Sequence, residues 1–182
     1  MDDDKTLVFH EKLYFHELDC REKLIQRLQL TLAILTGIVG GWMYIFSRLN
    51  FSGPSQPFVW AIFLVCFACG SVLLAIACFK FVKALWGHSY DCLPVATEIE
   101  NYRIQMYDTY KEFSDGPETA AGYFRKFLIQ YFSECAAHNA KQNAERYDFL
   151  HESVSCIVYS IPFILIAAIS FLLGGLAKVQ SI

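Results

Sequence analysis

The stretch "YFSECAAHNAKQNAERYDFLHES", Tyr131 to Ser153, gathers polar side chains of a kind that can do chemistry. Read as a helix, it sets Phe132, Asn139, Arg146 and Ser153 in one row, seven residues apart. Cys135, Gln142 and Phe149 form a companion row, Ala136, Asn143 and Leu150 an adjacent one, and His138 and Lys141 flank them. Positions three, four and seven apart share one side of a helix, so this face is apolar at both ends and polar in the middle. Several readings are open. On a packed seam, amides and a guanidinium fix register and oligomer state. Lining a vestibule, the same groups hold water on the approach to a pore. A plain solvated face and a catalytic site are the other two. Asn139, Gln142, Asn143, Arg146 and Ser153 are assigned first to an assembly seam and second to a vestibule lining.

Within that stretch, "RYDFLH" separates Arg146 from His151 by four residues. It resembles, over six residues, the R-x4-6-H motif of the HEPN family of helical ribonucleases. That resemblance implies a pair near a dimer interface acting on RNA, with Arg146 stabilising phosphate and His151 in acid–base chemistry. It stands as the catalytic alternative to a non-enzymatic reading. The five histidines, His10, His16, His88, His138 and His151, form no H-E-x-x-H or comparable ligand set, and no Walker loop, nucleotide fingerprint or GxSxG motif appears. Neither a metal nor a cofactor is implied. Seven cysteines, several in or beside apolar runs, read as reduced packing residues rather than a disulfide framework. Cys66 and Cys69 have redox-motif spacing, but thiols in an apolar run are expected to be neutral and unreactive.

These side chains must be positioned by elements unlike those of a soluble domain. Of 182 residues, 55% are apolar and only 18% charged, and the charges leave long stretches empty. Three segments lack Asp, Glu, Lys and Arg and approach or exceed the roughly 20 residues needed to cross a bilayer: Leu28 to Phe46, Pro57 to Phe79 and Val154 to Leu176. Arg21, Lys23 and Arg27 precede the first, and Lys80 and Lys83 follow the second, whereas "SRLNFSGPSQP" between them carries Arg48 alone. By the positive-inside rule the N-terminus is cytoplasmic, the first two spans form a tight hairpin, and the tail 177–182 is external, against the weak contrary sign of Lys178. The acidic N-terminus lacks the basic n-region of a cleaved signal peptide. Trp42, Tyr44, Trp60 and Trp86 are expected as interfacial anchors. Gly37 and Gly41, at GxxxG spacing, and Gly70 are assigned to close helix packing, and Pro162 to a bend in the third span.

Between the second and third spans, "VATEIENYRIQMYDTYKEF" reads as a helix with Ile99, Tyr102, Met106, Tyr110 and Phe113 on one face. "SDGPE" then marks a turn, with Pro117 opening a second helix. That helix meets no proline before Pro162. Continued into the third span, it would reach roughly 58 residues, about 87 Å at 1.5 Å per residue. The expected fold is all-α, with three transmembrane helices and a helical cytoplasmic bundle: an amphipathic N-terminal helix over 1–27, a two-span hairpin over 28–79, a cytoplasmic hairpin over 80–153 and a third span over 154–176.

With "YFHELDCREKLIQRLQL" before the first span, a tight hairpin, and "CAAHNAKQNAERYDFLHES" before the third, the layout resembles the SLATT-type membrane effectors of bacterial anti-phage systems. It also resembles the small membrane accessory proteins that accompany RNA-targeting CRISPR effectors. The resemblance implies a homo-oligomer of the bacterial inner membrane that perturbs or permeabilises it when infection is sensed. The expected partners are copies of itself, the lipid bilayer and a cytoplasmic defence or sensor protein. No direct nucleic-acid contact is expected, since no long basic run is present. The alternative is a non-pore scaffold or anchor for a separately encoded partner.

Overall fold

The computed structural model describes residues 3–50, 57–174 and 176. The described residues form four α-helices and no sheet: α1 (Asp3–Arg48), α2 (Pro57–Leu85), α3 (Ala96–Tyr110) and α4 (Gly116–Leu173). α1, α2 and α4 are long and apolar enough to cross a membrane. Residues 51–56, in the turn of the expected hairpin, and the expected external tail 177–182 with Lys178 lie outside the described residues.

The N-terminal amphipathic segment and the first apolar run are one helix of 46 residues. The junction "KLIQRLQL" holds only residues that favour helix, with neither glycine nor proline to end it. α4 likewise runs unbroken for 58 residues, the length its sequence predicts, with Pro162 inside it. Its start is sharply defined. An added Cβ on Gly116 would lie 1.8 Å from the Tyr110 carbonyl oxygen, so only glycine permits this turn. Pro117 follows in the first turn, where its missing N–H is no loss. α2 ends two residues before Gly87, whose φ of +92° is the left-handed conformation glycine tolerates.

The chain divides into two units, Met1–Leu24 with His88–Glu145, and Ile25–Gly87 with Arg146–Ile182. In the first, Ile99, Tyr102, Met106 and Tyr110 of α3 are half-buried, and Tyr102 stacks on Phe127 at 4.2 Å and Tyr110 on Tyr123 at 5.3 Å. Phe113, expected on the same face, lies beyond the end of α3 and is exposed. Tyr14 of α1 packs with Phe132, Cys135 and Ala136 of α4.

In the second unit the buried positions keep a spacing of three and four. On α2 they are Phe63, Cys66, Gly70, Leu74, Ala77, Phe81 and Ala84. On α1 Leu28, Leu35 and Trp42 are buried, followed by Leu49 just past its end, and on α4 Arg146, Ser153, Ser160 and Ala167, each set seven residues apart. A buried repeat averaging 3.5 residues is the pattern of helices packed side by side at a shallow angle. The α4 row is built of small or hydrogen-bonded side chains, which lets neighbouring backbone approach.

Trp42, expected as an interfacial anchor, instead faces inward. It is buried, its indole N–H donates to the Ser71 hydroxyl at 2.8 Å, and its ring stacks on Phe67 at 4.5 Å. Gly70 makes the room: a Cβ there would come within 3.1 Å of the Trp42 ring and 3.7 Å of the Phe163 Cβ. Trp86 and Tyr44 are exposed.

Candidate functional site

Between α2 and α3 the chain crosses from Gly87 to Val95 without regular structure. Its peptide groups need partners that no helix supplies. Side chains of α4 provide several of them. Asn139, fully buried, accepts from the Asp91 N–H at 2.9 Å through Oδ1 and donates to the Asp91 carbonyl at 3.0 Å through Nδ2. A side-chain amide here stands in for a neighbouring strand. One turn on, Asn143 accepts from the Tyr90 hydroxyl at 2.7 Å and donates to both the backbone carbonyl and the carboxylate of Glu17, each at 2.9 Å.

The flanking groups extend the clasp. Gln142 Oε1 lies 3.0 Å from His88 Nδ1, a pairing that requires the proton on that nitrogen. His138 Nε2 lies 3.1 Å from the Ser89 carbonyl and therefore donates. The Leu93 N–H reaches the Tyr14 hydroxyl at 3.4 Å, and the Arg21 guanidinium sits 4.6 Å from the centre of the Tyr90 ring. One connection is thus held by both α4 and α1. Cys135, buried beside them, has its thiol pKa raised by burial, with the Asp91 carboxylate a smaller contribution.

In the second unit the rest of the row does related work. The Arg146 Nε–H, buried, donates to the Ala84 carbonyl at 3.0 Å, in the last turn of α2, where a cation is favoured by the helix dipole. The Ser153 hydroxyl donates to the Ala77 carbonyl at 2.9 Å, two turns earlier on α2. The Ser160 hydroxyl turns back onto Ile157 of its own helix. Lys80 pairs with Glu152, and the ammonium groups of Lys80 and Lys83 lie 5.6 and 5.4 Å from the Phe149 ring.

The sequence-predicted residues are therefore placed as follows. Asn139, Gln142 and Asn143 meet the connection 88–91 and α1, while Arg146 and Ser153 meet the backbone of α2. Arg146 and His151 do not converge: five residues turn a helix through roughly 500°, leaving them well apart around the axis. His151 is exposed and lines a cleft with Arg27 and Tyr147. Gly70 lies under Trp42, whereas an added Cβ on Gly37 or Gly41 would meet nothing within 4 Å. Pro162 is exposed within α4. Among the described residues no three His, Cys, Asp or Glu side chains are grouped to hold a metal. Sequence reasoning passed over Tyr14, Glu17, Tyr90 and Asp91. The signal that could have found Tyr14 is its place seven and fourteen residues before Arg21 and Leu28.

Comparison with protein-family models, with curated proteins and with solved structures gave no match. Fold and site together define, over the described residues, an all-α architecture of four helices, three of them candidate membrane spans, with buried polar contacts as well as apolar packing between helices.

Proposed function

We propose that the chain is a multi-pass inner-membrane protein of bacteria, with a cytoplasmic N-terminus, that self-assembles and perturbs the membrane it occupies. The observation that carries this reading is how little apolar surface the chain covers for itself. Only 17%, 28% and 28% of the most apolar windows of α1, α2 and α4 are buried. Leu30, Leu32, Val65, Val72, Leu165 and Leu172 are among the side chains left exposed. Apolar surface on that scale calls for lipid or further copies of the chain. The open face at Gly37 and Gly41 supports close approach of a second copy. An anti-phage effector role rests on the SLATT-like layout of helices.

The test is reconstitution. Purified protein is expected to run in detergent as a homo-oligomer and to release a trapped ion or dye from liposomes. A strictly monomeric particle that leaves liposomes tight would refute the effector reading. Orientation is checked at Cys92, which is exposed: a membrane-impermeant maleimide is expected to reach it only from the cytoplasmic side.

A second reading, a non-conducting anchor for a separately encoded partner, is favoured by one observation. The hydroxyls of Ser153 and Ser160 are bonded to backbone within the chain, so they offer no polar lining to a pore. Stable membrane insertion with tight liposomes, together with recovery of a partner through the unit Met1–Leu24 and His88–Glu145, would establish it.

A further inference from the structure

The unit Ile25–Gly87 with Arg146–Ile182 has a cleft of about 240 Å³ where α1 and α4 pass from polar to apolar sequence. Its walls are of two kinds. Arg27, Tyr147 and His151 give it a polar lining, and Leu30, Leu150 and Val154 an apolar one. The Arg27 side chain is positioned, since its guanidinium lies 5.7 Å from the centre of the Tyr147 ring. Thr31, also on the wall, is already occupied, its hydroxyl donating to the Arg27 carbonyl at 3.0 Å.

We propose that this cleft binds the headgroup phosphate of an anionic phospholipid, with Arg27 and His151 on the phosphate and an acyl chain along Leu30 and Val154. The proposal rests on the membrane reading above. Three features select the ligand. A guanidinium offers a planar fork of donors matched to phosphate oxygens, and a histidine in either neutral tautomer adds an N–H. Among the described residues lining the cleft there is no carboxylate to compete. Arg27 immediately precedes the charge-free run of α1 that begins at Leu28, and Leu30 and Val154 lie within the charge-free runs of α1 and α4, so a phosphate bound at Arg27 sits at headgroup depth while its chains enter hydrocarbon.

The charge of the surrounding unit points the same way. Its described residues include Arg27, Arg48, Lys80, Lys83 and Arg146 against Asp148 and Glu152, although the whole chain has a net charge of −3. Glu152 is engaged by Lys80. A general attraction to an anionic surface follows from such a balance, but the cleft adds what a diffuse field lacks, a fixed arginine above an apolar slot.

The test uses the full-length protein in bilayers of phosphatidylcholine containing a minor share of phosphatidylglycerol, with retained lipid identified by native mass spectrometry. Wild type is expected to retain phosphatidylglycerol in preference to phosphatidylcholine. Arg27→Gln, an exposed position whose helicity is checked by circular dichroism, is expected to lower that preference about fivefold, the effect of one arginine at a headgroup. Leu30→Trp, which fills the slot and keeps the charge, lowers it as well, and Lys83→Gln leaves it unchanged. An equal loss in Lys83→Gln would reduce the effect to diffuse charge and overturn the site. Displacement of the lipid by soluble glycerol phosphate would overturn the lipid assignment in favour of a free phosphate ester. Protein that floats with vesicles but shows no lipid preference refutes the cleft alone. Protein that floats with no vesicle refutes the membrane reading and the cleft with it.

Discussion

Asn139 and Asp91 are joined by two hydrogen bonds, the Asn139 amide taking both the N–H and the carbonyl of Asp91 at 2.9 and 3.0 Å. The pairing carries no contribution from the Asp91 side chain. It satisfies a buried helix residue and an irregular peptide at once, and it fixes which residue of the connection faces α4.

Replacement of Asn139 tests that clasp. Asn139→Leu strands both polar groups of Asp91 and is expected to cost about 2–4 kcal/mol, one to two unsatisfied buried groups. Asn139→Asp keeps the acceptor for the Asp91 N–H but turns an anionic oxygen towards the carbonyl, and it should cost at least as much. Amide hydrogen exchange at Asp91 reads the effect directly: protection is expected in wild type and lost in both variants. Protection that survived in Asn139→Leu would mean that the connection is held by other contacts.

Trp42 and Gly70 form a second testable pair. Gly70→Ala places a methyl 3.1 Å from the indole ring, tighter than ordinary packing. Overpacking of this kind costs about 1–3 kcal/mol, against which the helix propensity of alanine recovers about 1 kcal/mol. A lowered melting temperature in detergent is the expected outcome, and Trp42→Leu in the same chain should suppress most of the difference between glycine and alanine. Additive effects of the two substitutions would show that the methyl clashes elsewhere.

Arg146 and His151 are expected to behave as unrelated residues. Arg146→Ala removes a buried charged donor from the Ala84 carbonyl and should destabilise by about 2–3 kcal/mol. His151→Ala, at an exposed position, should leave the melting temperature unchanged. RNA incubated with either variant should be degraded no differently than with wild type. Cleavage by wild type that both substitutions abolish would restore the ribonuclease reading.

Cysteine modification gives a test of burial in the unit that contains the clasp. The Cys135 thiol is held above its ordinary pKa by burial, so at a given mildly alkaline pH less of it is thiolate, the reactive form. Exposed Cys92 is expected to react with iodoacetamide first, and Cys135 only slowly or after unfolding. Mass spectrometry of partly modified protein orders the two, and equal rates would contradict the packing of Cys135 against Tyr14 and Phe132.

The sequence was most legible where a rule of spacing operates. Residues 132, 139, 146 and 153 announce a helix face by their separation, and the absence of proline before Pro162 announces the length of α4. The partners of that face were not legible, because Asp91, Ser89, Ala84 and Ala77 are recognised through their peptide groups, and a peptide group is the same whatever residue bears it. Trp42 was misplaced for a related reason. An indole beside an apolar run fits a headgroup region or a buried hydroxyl equally well, and only the meeting of α1 with Gly70 and Ser71 on α2 decides. The divisions of the chain after Leu24 and after Glu145 fall within α1 and α4, where no residue interrupts the helix and no local signal exists.

The row Ser153, Ser160, Ala167 on α4 has a consequence for how the chain tolerates change in length. Each buried position is defined by its count from the last, not by a bulky side chain that could find its own socket. Removing one residue between Ser153 and Ser160 rotates everything after it by about 100°, turning Ile161 to where Ser160 now lies and Phe171 to where Ser170 lies. Removing seven returns a small residue to the seam after two turns. For α4, therefore, the tolerated unit of insertion or loss is the heptad, and a substitution scan made only with alanine would pass over the positions that enforce it.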